Sequence, residues 1–185
     1  EIVLASIAWS NNLGIYSFHF SFIDYYIQLS PIFSYLITIL WIVGVVNAIN
    51  WIDGIDGLAA GIIFITSIGV CFVSYKYENL NEFIFSLILS GTCLGFLKSN
   101  FPPSKILMGD GGSYILGFCI SIFSITGSTY YLNTYNTYST SIILPIFLLM
   151  IPLFDMAYVI LLRIFQKKLP FYPDRNHIHH RLIDN

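Results

Sequence analysis

Polar side chains able to do chemistry are concentrated in three short stretches of a largely apolar sequence. The first, NAINWIDGIDGLAAG over residues 47–61, sets Asp53 and Asp56 three positions apart. On a helical turn that spacing puts both carboxylates on one face. Gly54 and Gly57 remove Cβ atoms from the backbone, so a bulky ligand can approach closely. Two carboxylates with the Asn47 and Asn50 amides at a helix junction suit a divalent cation and a phosphorylated or sugar ligand. Asp-Gly is also a common turn dipeptide, so a solvated interhelical turn accounts for the same residues.

The second stretch, KSNFPPSKILMGDGGSYILGF over residues 98–118, stops one helix at Pro102 and Pro103 and surrounds Asp110 with Gly109, Gly111 and Gly112. A carboxylate in a glycine-lined turn at a helix start can hold Mg²⁺, while free amides and Ser113 receive phosphate oxygens. Lys98 and Lys105 add positive charge nearby. No Gly-Lys-Ser/Thr follows the glycines, which excludes a Walker A loop. The plainer alternative is a loop with Ser113 as the N-cap of the next helix.

The third stretch is PFYPDRNHIHHRL, residues 170–182, with His177, His179 and His180 beside Asp174, Arg175 and Arg181. Short His-rich tracts bind zinc, but this one lacks a His-Glu-x-x-His pattern and a Cys partner. Imidazole and guanidinium groups also suit a diphosphate, with arginine giving bidentate contacts. A basic tail drawn to anionic lipid would explain the Lys and Arg residues and leave the three histidines unexplained.

The elements that must position these groups follow from composition. Of 185 residues, 56% are hydrophobic and 10% charged, with mean hydropathy +0.75. A soluble domain carries roughly a quarter of its residues charged. Net charge −2 excludes a nucleic-acid partner, and Cys71, Cys93 and Cys119 lie inside apolar runs rather than in a disulfide framework. Crossing the bilayer takes about 20 apolar residues. Five runs approach that length: 31–49, 58–75, 82–97, 113–126 and 141–162, the third and fourth short enough to belong inside a bundle. Residues 1–9 read as the tail of a sixth span. The expected architecture is an all-α polytopic transmembrane bundle of about five full spans plus a partial N-terminal one. Residues 1–185 then form one integral membrane domain, expected to be the C-terminal part of a longer protein. Phe18, Phe20 and Phe22 alternate with His19 and Ser21, a period-2 pattern that predicts a short strand or hairpin.

Orientation follows from Lys and Arg. Counting spans gathers the 50–57 loop, the 98–112 loop and the C-terminal tail on one side, with seven of the eight basic residues; Lys76 is the exception. That side is expected to be cytoplasmic. The same count brings Asp53, Asp56, Asp110, Asp174 and the three histidines together, although none of them entered the argument. Asp155, three residues after Pro152, is expected to face the bundle interior in a hydrogen-bonding role. His19, Asp24, Glu78 and Glu82 read as surface residues.

Four ordered motifs carry a resemblance to a known family: N-A-I-N-x-x-D-G-I-D-G-L-A, N-F-P-P-x-K-I-x-M-G-D-x-G-S, P-L-F-D and P-D-R-N-H-I-H-H-R-L. Over roughly residues 36–185 the sequence resembles the polyprenyl-phosphate N-acetylhexosamine-1-phosphate transferases, glycosyltransferase family 4. The tail resembles the bacterial GlcNAc-1-phosphate transferases; the phospho-MurNAc-pentapeptide translocase branch has three consecutive histidines where Ile178 intervenes here. The resemblance implies transfer of an N-acetylhexosamine-1-phosphate, GlcNAc-1-phosphate foremost, from a UDP-sugar to undecaprenyl phosphate with release of UMP. This would be the first membrane step of a cell-surface glycan, at the cytoplasmic face of a bacterial inner membrane. It implies Mg²⁺, or Mn²⁺ in its place, with Asp110 as metal ligand and Asp53, Asp56, His177, His179 and His180 as catalytic residues. Asn50, Asn100, Lys105 and Arg175 would bind substrate. The implied partners are a UDP-N-acetylhexosamine, polyprenyl phosphate and membrane lipid, with a homodimer admitted. The alternatives within the family are a phospho-MurNAc-pentapeptide-type transferase and, since the family's upstream Asp-Asp pair has no counterpart here, a non-catalytic fragment. The alternative from another class is a secondary transporter, whose polar groups would sit near the bilayer midplane.

Overall fold

The computed structural model describes residues 1–20, 25–132, 137–140 and 143–166. Among the described residues seven helices dominate: α1 (Ile2–Ser10), α2 (Pro31–Ile52), α3 (Leu58–Lys76), α4 (Leu80–Asn100), α5 (Gly109–Thr126), α6 (Ile143–Leu148) and α7 (Met150–Phe165). Of these, α2, α3 and α4 are long and apolar enough to cross a membrane. Helices are the natural solution there, because each backbone N–H and C=O finds its partner within the segment. Pro31 opens α2 after an extended Ser30, where its fixed φ is already helical and its missing N–H costs nothing. The protein is a helical polytopic membrane protein.

Two spans are longer than the apolar runs suggest. α4 takes in Leu80 and Asn100, and α5 begins at Gly109. The first four N–H groups of a helix need no intrahelical partner, so polar and glycine residues are tolerated in that turn. Asp110 therefore sits in the first turn of α5, and Ser113 lies inside the helix rather than capping it. The expected fifth span is broken at Leu149, between α6 and α7. In a continuous helix the N–H of residue 152 would close onto Leu148 O, and Pro152 has none. Thr66 Oγ1 donates to that carbonyl instead, at 3.2 Å.

At the end of the bundle away from the Asp53 and Asp110 motifs lies a four-stranded sheet: β1 (Ser17–Phe20), β2 (Tyr25–Gln28), β3 (Thr129–Leu132) and β4 (Thr137–Thr140). The strand order is β2-β1-β4-β3, with β1–β2 and β3–β4 antiparallel and Phe18 meeting Thr140 in a parallel pairing. The strand expected at Phe18 is present as β1, and Thr137–Thr140 supplies β4. The surface reading of His19 is wrong: Ser17 and His19 are buried while Phe18 and Phe20 are half-exposed. The alternation is present with its polar residues on the buried face, because in a membrane protein the outward face need not be the polar one. Glu78 is exposed as expected, Glu82 is half-buried, and Asp24 lies outside the described residues.

The core runs down α2, where Val45 and Ile49 pack with Ile63 and Val70 of α3, Leu89 of α4 and Ile120 of α5. Large side chains such as Leu40, Ile65, Phe72 and Phe147 point outward, toward what would be lipid. The α2–α5 contact decides how the site is assembled. A Cβ on Gly117 of α5 would stand 3.0 Å from Val46 Cα, and Trp41 Nε1 donates to Ser121 O at 3.1 Å one turn further on. Gly117→Leu should therefore wedge the helices apart and cost about 1–3 kcal/mol. The thermal midpoint in detergent checks this, and an unchanged midpoint would mean that the crossing is loose.

Candidate active site

Three helix ends and two connections build one cleft. α2 stops at Ile52, so Asp53 caps its C-terminus, and residues 53–57 form a turn closed by Gly57 at φ +77°. That left-handed geometry suits glycine and lets α3 start directly behind it. Asp53 and Asp56 therefore lie on a non-helical connection, not on one helical face; a cleft of about 300 Å³ still receives both, with Asn100 and Asp110 in its wall. Asn50, in the last turn of α2, donates to Asp110 Oδ1 at 3.2 Å and to Ser113 Oγ at 2.9 Å. Ser113 Oγ in turn donates to Asp110 O at 3.1 Å. Asp110 also gains from the positive end of the α5 dipole.

Asn100 holds the two connections together. It is buried, its Oδ1 accepts from Gly57 N–H at 2.9 Å, and its Nδ2 donates to Ile106 O at 2.9 Å. The turn bearing Asp53 and Asp56 is thus stapled to the segment leading into Asp110. Lys98 and Lys105 are exposed, Lys98 in the last turn of α4 and Lys105 outside the cleft wall. The backbone N–H of Lys105 donates to Ser99 O at 2.8 Å. Arg175, His177, His179 and His180 lie outside the described residues. Asp155 is 1% exposed, facing the interior as expected. Two further features lie outside the sequence expectations: the role of Ser113 inside α5 and the burial of Arg163 in α7. The four-residue steps from Asp155 through Val159 to Arg163 were the available signal, since they place all three near one helical face.

Negative charge is concentrated in the cleft. Burial first, then the charges of Asp110 and Asp56, push Asp53 up to about 6. Among the described residues, no three Asp, Glu, His or Cys side chains are placed to cage a metal ion. Mg²⁺ does not need such a cage: it is commonly held by one or two carboxylates, waters and substrate phosphates. The crowded carboxylates Asp53, Asp56 and Asp110 fit that mode of binding.

The raised Asp53 value sets a pH dependence. Its folded pKa lies above the unfolded one, so between about pH 4 and 6 the folded state holds more protons and stability falls as pH rises. Without divalent cations, Asp53→Asn should melt above wild type at pH 7.5, and the gap should close near pH 4.5. The same gap at both pH values would show that Asp53 is not crowded by its neighbours.

A family model described as glycosyl transferase family 4 matches residues 1–128. A probable undecaprenyl-phosphate N-acetylglucosaminyl 1-phosphate transferase of Bacillus subtilis (strain 168) is 43% identical over 150 residues, covering 81% of this chain and 40% of the relative. A decaprenyl-phosphate N-acetylglucosaminephosphotransferase of Mycobacterium leprae is 37% identical over 140 residues, covering 68% of this chain and 35% of the relative. A phospho-N-acetylmuramoyl-pentapeptide-transferase of Chlamydia muridarum is 39% identical over 100 residues, covering 52% and 30%. The chain thus spans at most about two fifths of the length of these relatives. The match includes every residue that lines the carboxylate cleft and extends over more than half of the sequence, and by it the chain belongs to glycosyl transferase family 4.

Proposed function

We propose that the protein transfers N-acetylglucosamine-1-phosphate from UDP-GlcNAc to a membrane-embedded polyprenyl phosphate, undecaprenyl phosphate in bacteria, releasing UMP. The observation that carries this reading is the meeting of Asp53, Asp56 and Asp110 in one cleft at the ends of membrane helices. A water-soluble nucleotide sugar and a lipid-borne phosphate can meet only at such a boundary. An oxygen of the acceptor phosphate attacks the β-phosphorus of UDP-GlcNAc. A new P–O bond forms the lipid diphosphate, and the bond to the bridging oxygen breaks with that oxygen leaving on UMP. Such transfers depend mainly on positioning and charge neutralisation.

Mg²⁺, when bound, would neutralise the diphosphate and the leaving phosphate. Asp110 and Asp53 are its proposed ligands, with Asp56 beside them. Asn50 holds the Asp110 carboxylate in place, and Asn100 fixes the two connections. His177, His179, His180 and Arg175 are proposed to contact phosphate and sugar. The GlcNAc reading is preferred to the pentapeptide one because the GlcNAc-type relatives match over more of this chain. The site is proposed to face the cytoplasm, on the strength of seven basic residues on its side.

The test uses a full-length protein containing this region. UMP release should require both UDP-GlcNAc and undecaprenyl phosphate. Release with UDP-MurNAc-pentapeptide alone would move the protein to the other branch, and no release with either would end the transferase reading. A cysteine at Lys105 should label only from inside the cell and one at Glu78 only from outside.

A further inference from the structure

α7 carries two charged side chains, Asp155 and Arg163, and buries both. Arg163 is 3% exposed, although its neighbours Ile164 and Phe165 are 54% and 82% exposed. An arginine in the last turn of a membrane helix ordinarily extends its stem and sets its charged head among water and headgroups. This one turns inward. Its guanidinium carbon stands 5.1 Å from the centroid of the Trp51 ring, a planar cation over the face of an indole.

Trp51 is in the last turn of α2, immediately after Asn50 and two residues before Asp53. Consecutive helical residues point about 100° apart, and here they engage different partners. Asn50 reaches α5 through Asp110 and Ser113, whereas Trp51 meets α7 through Arg163. The last turn of α2 is thus gripped from two sides. That grip matters because Gly54 and Gly57 follow at once, and the bond that carries the chain past the helix end is a long one, Asp53 N–H to Asn50 O at 3.3 Å. The guanidinium also lies beside the last turn of α2 and in the last turn of α7, where a cation complements both helix dipoles.

We propose that Arg163 is a positioning residue for the transferase reaction: its stack on Trp51 clamps α7 onto the last turn of α2 and holds Asn50 and Asp53 in register with Asp110. The inference rests on the proposed transferase function, and it acts through the α2 turn rather than by touching substrate. Arg163 belongs to the buried face of α7 that also carries Asp155 and Val159. That face docks on α2, with Met156 of α7 lying 3.9 Å from where a Gly44 Cβ would be.

The experiment is a double-mutant cycle in the full-length protein, using Arg163→Met and Trp51→Leu, with Arg163→Lys and Trp51→Phe as conservative partners. Each of the first two should lower kcat by roughly 10- to 100-fold and change KM for UDP-GlcNAc by less than about threefold. The double variant should be no worse than the more damaged single, because the two residues act as one contact. Trp51→Phe, which keeps an aromatic face, should recover most of the activity. Independent losses that multiply, or kcat per folded molecule within about twofold of wild type, would overturn the proposal. If Arg163→Met fails to insert, Trp51→Leu against Trp51→Phe decides the same point. A readout without turnover separates this failure from failure of the transferase reading. Spin labels on cysteines at Lys98 and Gln166, in a background with the other cysteines replaced, should give a narrow distance distribution that broadens in Arg163→Met. A distribution that stays narrow would overturn the clamp even if the wild type proved to be an active transferase. Broadening in a protein that releases no UMP would leave the clamp standing and remove the reaction.

Discussion

Asp110→Asn should abolish turnover, by a factor on the order of 10³ or more, while leaving the protein inserted and folded. The side chain keeps its shape, and its remaining carbonyl oxygen can still accept from Asn50 Nδ2. What goes is one negative charge in the first turn of α5, worth about 0.3–1 kcal/mol of helix stability at most. A 10³-fold loss corresponds to roughly 4 kcal/mol of transition-state stabilisation. That exceeds any folding cost of the substitution, so a dead but stable variant identifies a lost ligand rather than a damaged fold. A second observable moves with it: Asp110 is the first neighbouring charge that raises Asp53, so Asp53 should titrate lower in the variant. UMP release across a Mg²⁺ series, with the melting curve alongside, checks both. Activity within about tenfold of wild type and an unchanged Mg²⁺ response would reduce Asp110 to a helix-start residue.

The helices were legible because bilayer thickness sets the length of an apolar run and no other regular structure satisfies the backbone there. Their ends were less legible. Gly109 and Asp110 read as loop residues by composition, yet the first turn of a helix has no intrahelical use for its N–H groups and accepts them. Pro152 was visible in the sequence, but its effect falls four residues earlier, at the Leu148 carbonyl, and the rescue comes from Thr66, 82 positions away. The second half of the sheet was illegible for a similar reason. Thr137–Thr140 becomes a strand by pairing with Thr129–Leu132 and meeting β1, a partner more than a hundred residues distant.

The site was legible at one remove. Span counting alone brings Asp53, Asp56 and Asp110 to one end of the bundle, and the cleft contains all three. Asp53 and Asp56 do not share the helical face that their spacing suggests; a glycine-closed turn achieves the same convergence. Motif resemblance named Asn50 and Asn100 as substrate binders and gave no sign of their hydrogen bonds. Such bonds depend on which connection lies across the cleft, a tertiary fact that local spacing does not encode. Arg163 was counted only as a basic residue on one side, because its burial follows from the docking of α7 on α2.

Asn100 provides the sharpest test of that difference, since contact with nucleotide and stapling of two connections predict different kinetics. In the folded protein its carboxamide is already committed, accepting from Gly57 N–H and donating to Ile106 O, both at 2.9 Å. Asn100→Ala deletes both bonds from a residue that is 3% exposed. Each partner left without a bond costs about 1–3 kcal/mol when buried, less what water in the cleft restores, so a net loss of about 2–4 kcal/mol is expected. Asn100→Asp separates the two halves of the staple. The carboxylate keeps the bond from Gly57 N–H, but it sets a negative oxygen against the Ile106 carbonyl and adds a charge near Asp53 and Asp56. At neutral pH this variant should be destabilised as well, and acidification should rescue it, because a protonated carboxyl can donate to Ile106 O. Stapling therefore predicts a lowered melting midpoint for Asn100→Ala and a pH-rescued one for Asn100→Asp. For both, kcat should fall as Asp53 and Asp56 drift relative to Asp110. If instead both variants melt with wild type and only KM for UDP-GlcNAc rises, Asn100 serves the nucleotide directly and its two backbone bonds are dispensable.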